Sequence, residues 1–529
     1  MASIVEDIDR NILPLWRSYS QTASSGELEY TGSKVLPIRF DRFGEFLEAW
    51  KAKKSIITAA DLINAAVVSD NKALPEVLSA SEFLLHNSEL CSPLALDVAN
   101  TLLNRSPKGI EYESNTSGAN LSFEDKAKTL IQSLTDQETT IRAKIGLLRK
   151  QLHDFCYNAI TYCELSRCYS DLGLNDKARQ YMLCAVQLAP HNRYVSRCAA
   201  RFFVHDNDPA RARKILIDNG WMRNDPWLLA SEIAVTSVMQ RTSRYVKEGR
   251  QLILSDNYSP YSSSELCFAI CKEDRKAGKR RDWQKMFNLG LRSPNDNSLA
   301  QAEYIVKEES RMRFDYGQYD AINRKYEADT RNFYSLGRYE DAFLSSVNWT
   351  QDYRFSHEPI AFAFDLSCTF LKKYDYSSAV IRHWLKTHPK DYAMTNNLIY
   401  ALGLSDHIEE AEHLLSKINV AHQLNERLEN GICLLATSGL IAYRKGNIDE
   451  GRQLYQLSID TAKKMRERDL AGKARLNMIR EEVHSVSDYD PSILNELDTL
   501  STGNKAETEQ LKKDIRKEVE RKKTNAEKR

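Results

Sequence analysis

What this sequence lacks narrows the field first. No run of about 18 consecutive apolar residues occurs, so a membrane-spanning helix is not expected. The first ten residues are acidic and lack the basic-then-apolar layout of a secretory leader. Ten cysteines are scattered through 529 residues with no Cys-x-x-Cys and no close pairing with histidine, so neither a zinc site nor a redox motif is expected. Most of them, Cys163, Cys168, Cys184, Cys198, Cys368 and Cys433 among them, sit at apolar helix positions where a reduced thiol serves as a small hydrophobe. That usage fits a reducing cytoplasm. There is no Gly-x-x-x-x-Gly-Lys-Ser/Thr phosphate loop, no Gly-x-Ser-x-Gly and no His-Glu-x-x-His, so no catalytic centre, metal site or cofactor is expected and the chain does not read as an enzyme. Net charge of one sign is missing too: 74 Lys and Arg nearly cancel 73 Asp and Glu. Any electrostatic role must then come from local clustering.

Helical spacing of apolar residues is what remains, almost from end to end. Ile4, Ile8, Ile12 and Leu15 fall at helical intervals, and helix-length apolar pieces broken by short turns fill residues 55–104. Residues 1–105 are read as an N-terminal helical region. Residues 106–121, rich in Ser, Gly and Asn, form a connector. Residues 122–158 then carry a helix pair, with Ser122 as the N-cap of the first helix and Thr135 to Glu138 as a capping box for the second.

The stretch Ala159–Asn192 sets the frame for the downstream chain. Tyr162, Leu165 and Tyr169 are large residues of a first helix. Gly173 suits a left-handed turn, Asn175 and Asp176 are cap residues for a second helix, and Ala178, Met182 and Ala185 alternate small and large. Pro190 ends the unit. The frame returns with Ala200, Phe203, Ala212 and Leu216, then with Tyr326, Phe333, Gly337, Tyr339 and Ala342. It returns again with Leu366, Phe370, Tyr376 and Ala379, and with Gly439, Gly446, Gly451 and Tyr455. Ser166 stands where Gly or Ala is usual. The pattern resembles a tetratricopeptide repeat, a helix-turn-helix unit of about 34 residues.

That resemblance implies an all-α, right-handed superhelical solenoid over residues 159–464. Residues 465–500 would cap it, and residues 501–529, almost wholly charged, would be a solvated tail. In such arrays the first helix of each unit lines a concave groove. By frame, the inward positions hold Cys163 and Arg167, then Tyr194, Arg197 and Arg201, then Glu327, Arg331 and Tyr334, then Phe364 and Lys372, and last Tyr443 and Arg444. Arginine beside tyrosine suits carboxylates, phosphates and stacking. Arg167, Tyr194, Arg197, Arg201, Arg331, Tyr334, Lys372, Tyr443 and Arg444 are therefore the candidate partner-binding residues. Cys163 and Arg167 occupy the Lys and Asn places of the clamp by which some tetratricopeptide domains hold chaperone tails, so that specificity is not expected.

A second candidate is the basic run Lys272–Arg281, where Lys276, Lys279, Arg280 and Arg281 crowd one turn and could meet an anion or a nucleic acid. His383 and His388, Cys267 and Cys271, and the acidic pairs Glu409–Glu410 and Glu481–Glu482 read as packing or solvated residues. The leading reading is a scaffold that binds a partner protein or peptide in its groove. The alternatives are a nucleic-acid-binding accessory and a peptide-sensing regulator of a neighbouring enzyme.

Overall fold

The structure, a computed structural model, describes residues 10–24, 27–28, 43–69, 71, 74–91, 93–104, 122–154, 156–255, 257–309 and 312–527. Ile4, Ile8 and the connector at 106–121 lie outside the described residues. No strand occurs among the described residues, and helices follow one another in antiparallel neighbours from Phe43 to Glu527. The fold is an all-α solenoid of helix pairs.

Each pair is made the same way. Ala159–Asp171 packs on Asn175–Leu188, Arg193–His205 on Pro209–Asp218, and Pro260–Lys276 on Arg280–Gly290. Tyr326–Ser335 packs on Tyr339–Asp352, Tyr392–Leu404 on Ile408–Ser416, and Leu428–Arg444 on Ile448–Lys464. Between the helices of a pair stands a residue with positive φ: Gly173 (69°), Asn207 (58°), Gln240 (56°), Gly278 (69°), Gly337 (72°), Lys372 (57°), Asp406 (60°) and Gly446 (86°). The frame thus persists where glycine does not, since other residues tolerate the left-handed region at a cost of about 1–2 kcal/mol.

Small residues at the crossing let the helices approach. A Cβ at Gly439 would lie 2.7 Å from the Tyr455 ring, and one at Gly451 2.5 Å from the Tyr443 ring. Ser166 has its own reason for being there. Its hydroxyl donates across the crossing to the carbonyl of Ala178 (2.9 Å), as Ser264 does to Gly290 and Ser458 does to Ile432 (2.9 Å each). A serine at this place is small enough to pack and ties the two helices with a buried hydrogen bond.

Several expectations are corrected. Ile12 and Leu15 do not lie on a helix: residues 10–18 form neither helix nor strand, and helix begins at Tyr19. Pro14 is the cause, since it has no N–H to give and pushes Leu13 out of the helical region. Ser122 does cap its helix, accepting from the Asp125 N–H (3.2 Å), but Thr135–Glu138 starts no second one. Phe123–Asp154 is a single long helix. Neither Asn175 nor Asp176 caps the helix Asn175–Leu188, which has Leu174 before it and no side-chain cap. Asp296–Glu308, capped by Asn295, is a further first helix that the repeat frame passes over. Its partner is replaced by irregular chain in which Phe314, Tyr316 and Tyr319 cover Leu299, Ala300 and Ala328.

The charged C-terminus is not a solvated tail. Helix Lys505–Glu527 turns Leu511, Ile515 and Val519, spaced four apart, onto Leu476, Ile479 and Val483 of the helix Arg468–Ser485. Nor are Glu481 and Glu482 a solvated face: Glu481 is buried against Arg444 and Arg480, and Glu482 holds Tyr443 and Arg452.

Closure of the array positions everything else. The long helix Phe123–Asp154 lies against Ala159–Asp171 and also against Tyr339–Asp352 and Tyr374–Thr387. The turn at Gly173 touches the backbone of Thr387, so closely that a Cβ there would sit 2.1 Å from its carbonyl oxygen. His205 packs edge-on against Phe355 (5.3 Å). The array curls until its early units meet units far along the chain, and its concave face becomes the wall of a channel.

Candidate functional site

That channel holds residues 10–24 of the same chain. First helices of the array supply most of its wall, through Glu164, Tyr194, Lys272, Asp296, Asn297 and Glu327, and the end of the second helix Tyr339–Asp352 supplies Asp352. Arg10 enters a cluster of three side chains. Its guanidinium donates to Glu327 Oε1 (2.6 Å) and Oε2 (3.1 Å), to Gln301 Oε1 (2.7 Å) and to Asn297 Oδ1 (2.9 Å). Burial alone would raise the Glu327 carboxyl, but Arg10 and Arg331 outweigh it and hold Glu327 down at about 2. Arg17 lies between Asp352 (Nε to Oδ2, 2.9 Å) and Asp296 (Nη2 to Oδ2, 2.6 Å). Burial works against its charge, and the two aspartates outweigh that and hold it protonated.

Between the two arginines the segment is read by backbone and by shape. Lys272 Nζ donates to the Arg10 carbonyl (2.9 Å) and to Asn11 Oδ1 (2.7 Å), Asn297 Nδ2 donates to the Leu13 carbonyl (2.9 Å), and Tyr194 Oη to the Arg17 carbonyl (3.0 Å). The Tyr19 N–H donates to Glu164 Oε1 (2.6 Å). Ile12 and Trp16 are fully buried. Trp16 fills the gap between Phe202 (5.7 Å, edge-on) and Phe355 (5.0 Å), one from each side of the closure. Beyond a short helix, Tyr19–Ser24, the Glu27 carboxylate reaches Arg197 (3.4 Å), and its carbonyl accepts from Arg193 (2.9 Å). Burial pushes Glu27 up to about 7 against the pull of Arg197.

Most positions expected to face an open groove are buried in the array with their polar groups engaged, whereas Lys372 is an exposed residue of the turn and does not face inward. Arg197 is buried, forked onto Glu265 (3.0 and 3.3 Å) and laid over Trp227 (4.9 Å). Arg331 pairs with Glu327 (3.0 Å) and Glu358 (3.4 Å), and Arg167 with Glu164 and Asp171 (3.6 Å each). Arg201 lies over Tyr353 and Phe355 (5.5 and 5.6 Å). Cys163 and Phe364 are buried. Tyr334, Lys372, Tyr443 and Arg444 meet the C-terminal helices instead of an empty groove: Tyr334 Oη shares a hydrogen bond with Asn504, Lys372 pairs with Asp514, Tyr443 with Glu482, and Arg444 with Glu481 (2.7 Å). Of the carboxylates that hold the arginines, Glu327 is one of the frame's inward positions, whereas Asp296 and Glu265 carry no signal because they belong to units whose pattern is degenerate.

The basic run divides. Lys272 is buried on the N-terminal segment and Lys276 donates to Ser237 (2.9 Å), while Lys279, Arg280 and Arg281 stand exposed around Gly278. Cys267 and Cys271 are core residues whose thiols burial pushes up to about 12. His388 stacks on Trp384 (3.6 Å), and His383 borders a pocket at the closure with Glu138, Asp171 and Arg354. No group of side chains suited to a metal ion occurs among the described residues, and no described helix is long and apolar enough to cross a membrane.

No protein-family model and no curated protein matches the sequence. Among solved structures, yeast Tom70 is 13% identical and covers 77% of this chain and 97% of its own, with a TM-score of 0.29. The human IFIT1 dimer with m7Gppp-AAAA is 12% identical over 83% of this chain and 99% of its own, at 0.27. Superpositions this loose speak to neither partner nor activity.

Proposed function

We propose that this chain is a non-enzymatic scaffold that binds a partner protein through the inner face of its helical array. The observation that carries this reading is the channel wall itself. It offers hydrogen-bonding groups to the carbonyls and the amide of a non-helical chain, and a large aromatic slot, which together are the means by which a protein surface holds a peptide. The array's arginines are less suited to nucleic acid, because Arg197, Arg331 and Arg444 already have carboxylate partners. The exposed turn Lys279–Arg281 is what remains for that alternative.

Photo-crosslinking tests the reading. A benzophenone amino acid placed at Arg201, on the inner wall, is expected to capture a discrete protein from the native extract. The same residue at Leu254, on the outer surface, is expected not to. Equal labelling from both positions, or none from the inner one, would count against the scaffold role.

A further inference from the structure

The segment in the channel also tells what chemistry the channel selects. We infer that residues 10–24 are a resident, displaceable occupant of a peptide site, and that the site takes in trans a protein segment carrying two arginines seven residues apart with a tryptophan just before the second. This rests on the scaffold reading above and adds to it the identity of the guest and the way access is regulated.

Three features separate the segment from an ordinary piece of core. First, residues 10–18 contribute no helix to the pairs around them, so the segment is not itself a member of any helix pair. Second, its hold on the wall is polar at both ends. Arg10 and Arg17 are received by Glu327, Asp296 and Asp352, which come from three different helices. Planar guanidinium groups are well matched to such carboxylates, and lysine would not reproduce the fork. Third, four of its backbone groups are bound by side chains of the wall: the carbonyls of Arg10, Leu13 and Arg17 and the amide of Tyr19. Those contacts hold any sequence in the same register and leave selection to the two arginines and the indole.

The seat is therefore specific for basic, aromatic-bearing segments rather than for acidic tails. A guest supplied by another protein must displace the resident copy, which holds the site at the high effective concentration of a tethered ligand. Occupancy in cis lowers the apparent affinity for the guest in proportion to the fraction of channels that are open.

The experiment uses the full chain and a fluorescein-labelled synthetic peptide of sequence RNILPLWRSYSQTAS, followed by anisotropy. A variant whose own segment is disabled (Arg10→Ala/Trp16→Ala/Arg17→Ala) is expected to bind the peptide at least 30-fold more tightly than the wild type does. A peptide with both arginines replaced by alanine is expected to bind that variant at least 100-fold more weakly. A disabled variant that keeps its helical circular dichroism yet binds no peptide overturns the inference, and so does one that loses its helices, since the segment is then a structural strut. A second measurement needs no mutation: excess unlabelled peptide added to the wild type must speed amide exchange in residues 10–24, and unchanged exchange again overturns it. Capture of a partner at Arg201 together with failure of the peptide would retain the scaffold and remove this guest.

Discussion

Replacing Trp16 by alanine probes the channel at its tightest point. The indole is wholly buried between Phe202 and Phe355. A side chain of this size buries about 150–250 Å², worth about 4–6 kcal/mol at ~25 cal/mol per Å² as an upper bound. Truncations of buried aromatics to alanine cost about 3–5 kcal/mol in practice. The indole N–H has no hydrogen-bond partner, and removing an unsatisfied donor returns about 1 kcal/mol. The net loss is about 3 kcal/mol, a little over a hundredfold in the equilibrium between the seated and released segment. Hydrogen–deuterium exchange read by mass spectrometry measures this directly. Peptides covering residues 10–24 are expected to lose about a hundredfold of protection, while those from Leu428 to Lys464, remote from the indole, keep theirs. Exchange in residues 10–24 that matches the wild type within a factor of three would refute the argument, because the ring would then not be what seats the segment.

Other perturbations separate the closure from the pairs. Gly173→Ala is expected to cost at least 2 kcal/mol more than Gly278→Ala in urea unfolding: both have φ of 69°, but only Gly173 faces another backbone. Ile515→Ala is expected to cost about 2–4 kcal/mol and to loosen the helix Lys505–Glu527, whereas Lys517→Ala on its exposed side should be silent. Acid should open the closure. Burial lowers His205, His383 and His388 to about 4 from the ordinary 6.5, so the unfolded chain takes up protons first as pH falls. Stability then declines between pH 6.5 and 4, by about 2 kcal/mol per histidine at pH 5, and His383→Gln/His388→Gln should flatten the thermal-melt profile over that range.

The repeat units are legible because pairs of close-packed helices demand alternating bulk at fixed intervals. Ala178, Met182, Ala185, Gly439 and Tyr455 obey that demand and are buried. Two units fade where the turn uses Gln240 or Asp406 in place of glycine, since positive φ leaves no trace in the residue name alone. The inward orientation of Arg197 and Arg331 can be read from the frame. Glu327, four residues before Arg331 on the same helix, can be read as well, but Glu265 and Glu358 cannot, because they lie on other helices and come near only through superhelical packing. The segment in the channel is hidden for a simpler reason. Irregular chain has no period, and the spacing of Ile8, Ile12 and Leu15 imitates a helix; Pro14 is the sign that it is not one. Leu511, Ile515 and Val519 do keep helical spacing, but three apolar residues among so many charges give a thin stripe.

How the arginines are paired decides what salt should do to nucleic-acid binding. A cation already matched to a protein carboxylate has no counterion to release, so the inner arginines add nothing to the salt slope however many of them line the wall. Lys276, Lys279, Arg280 and Arg281 lie around one exposed turn. Binding through that turn would neutralise at most those four and give a slope of log affinity against log salt no steeper than about −3.6 on duplex DNA. Filter binding from low to moderate salt is expected to show weak retention at most, with a slope within that limit, and Arg280→Glu/Arg281→Glu should abolish it. A slope beyond about −5 that survives this double substitution would mean that the inner arginines exchange their carboxylates for phosphates, and the channel would have to open to let them do so.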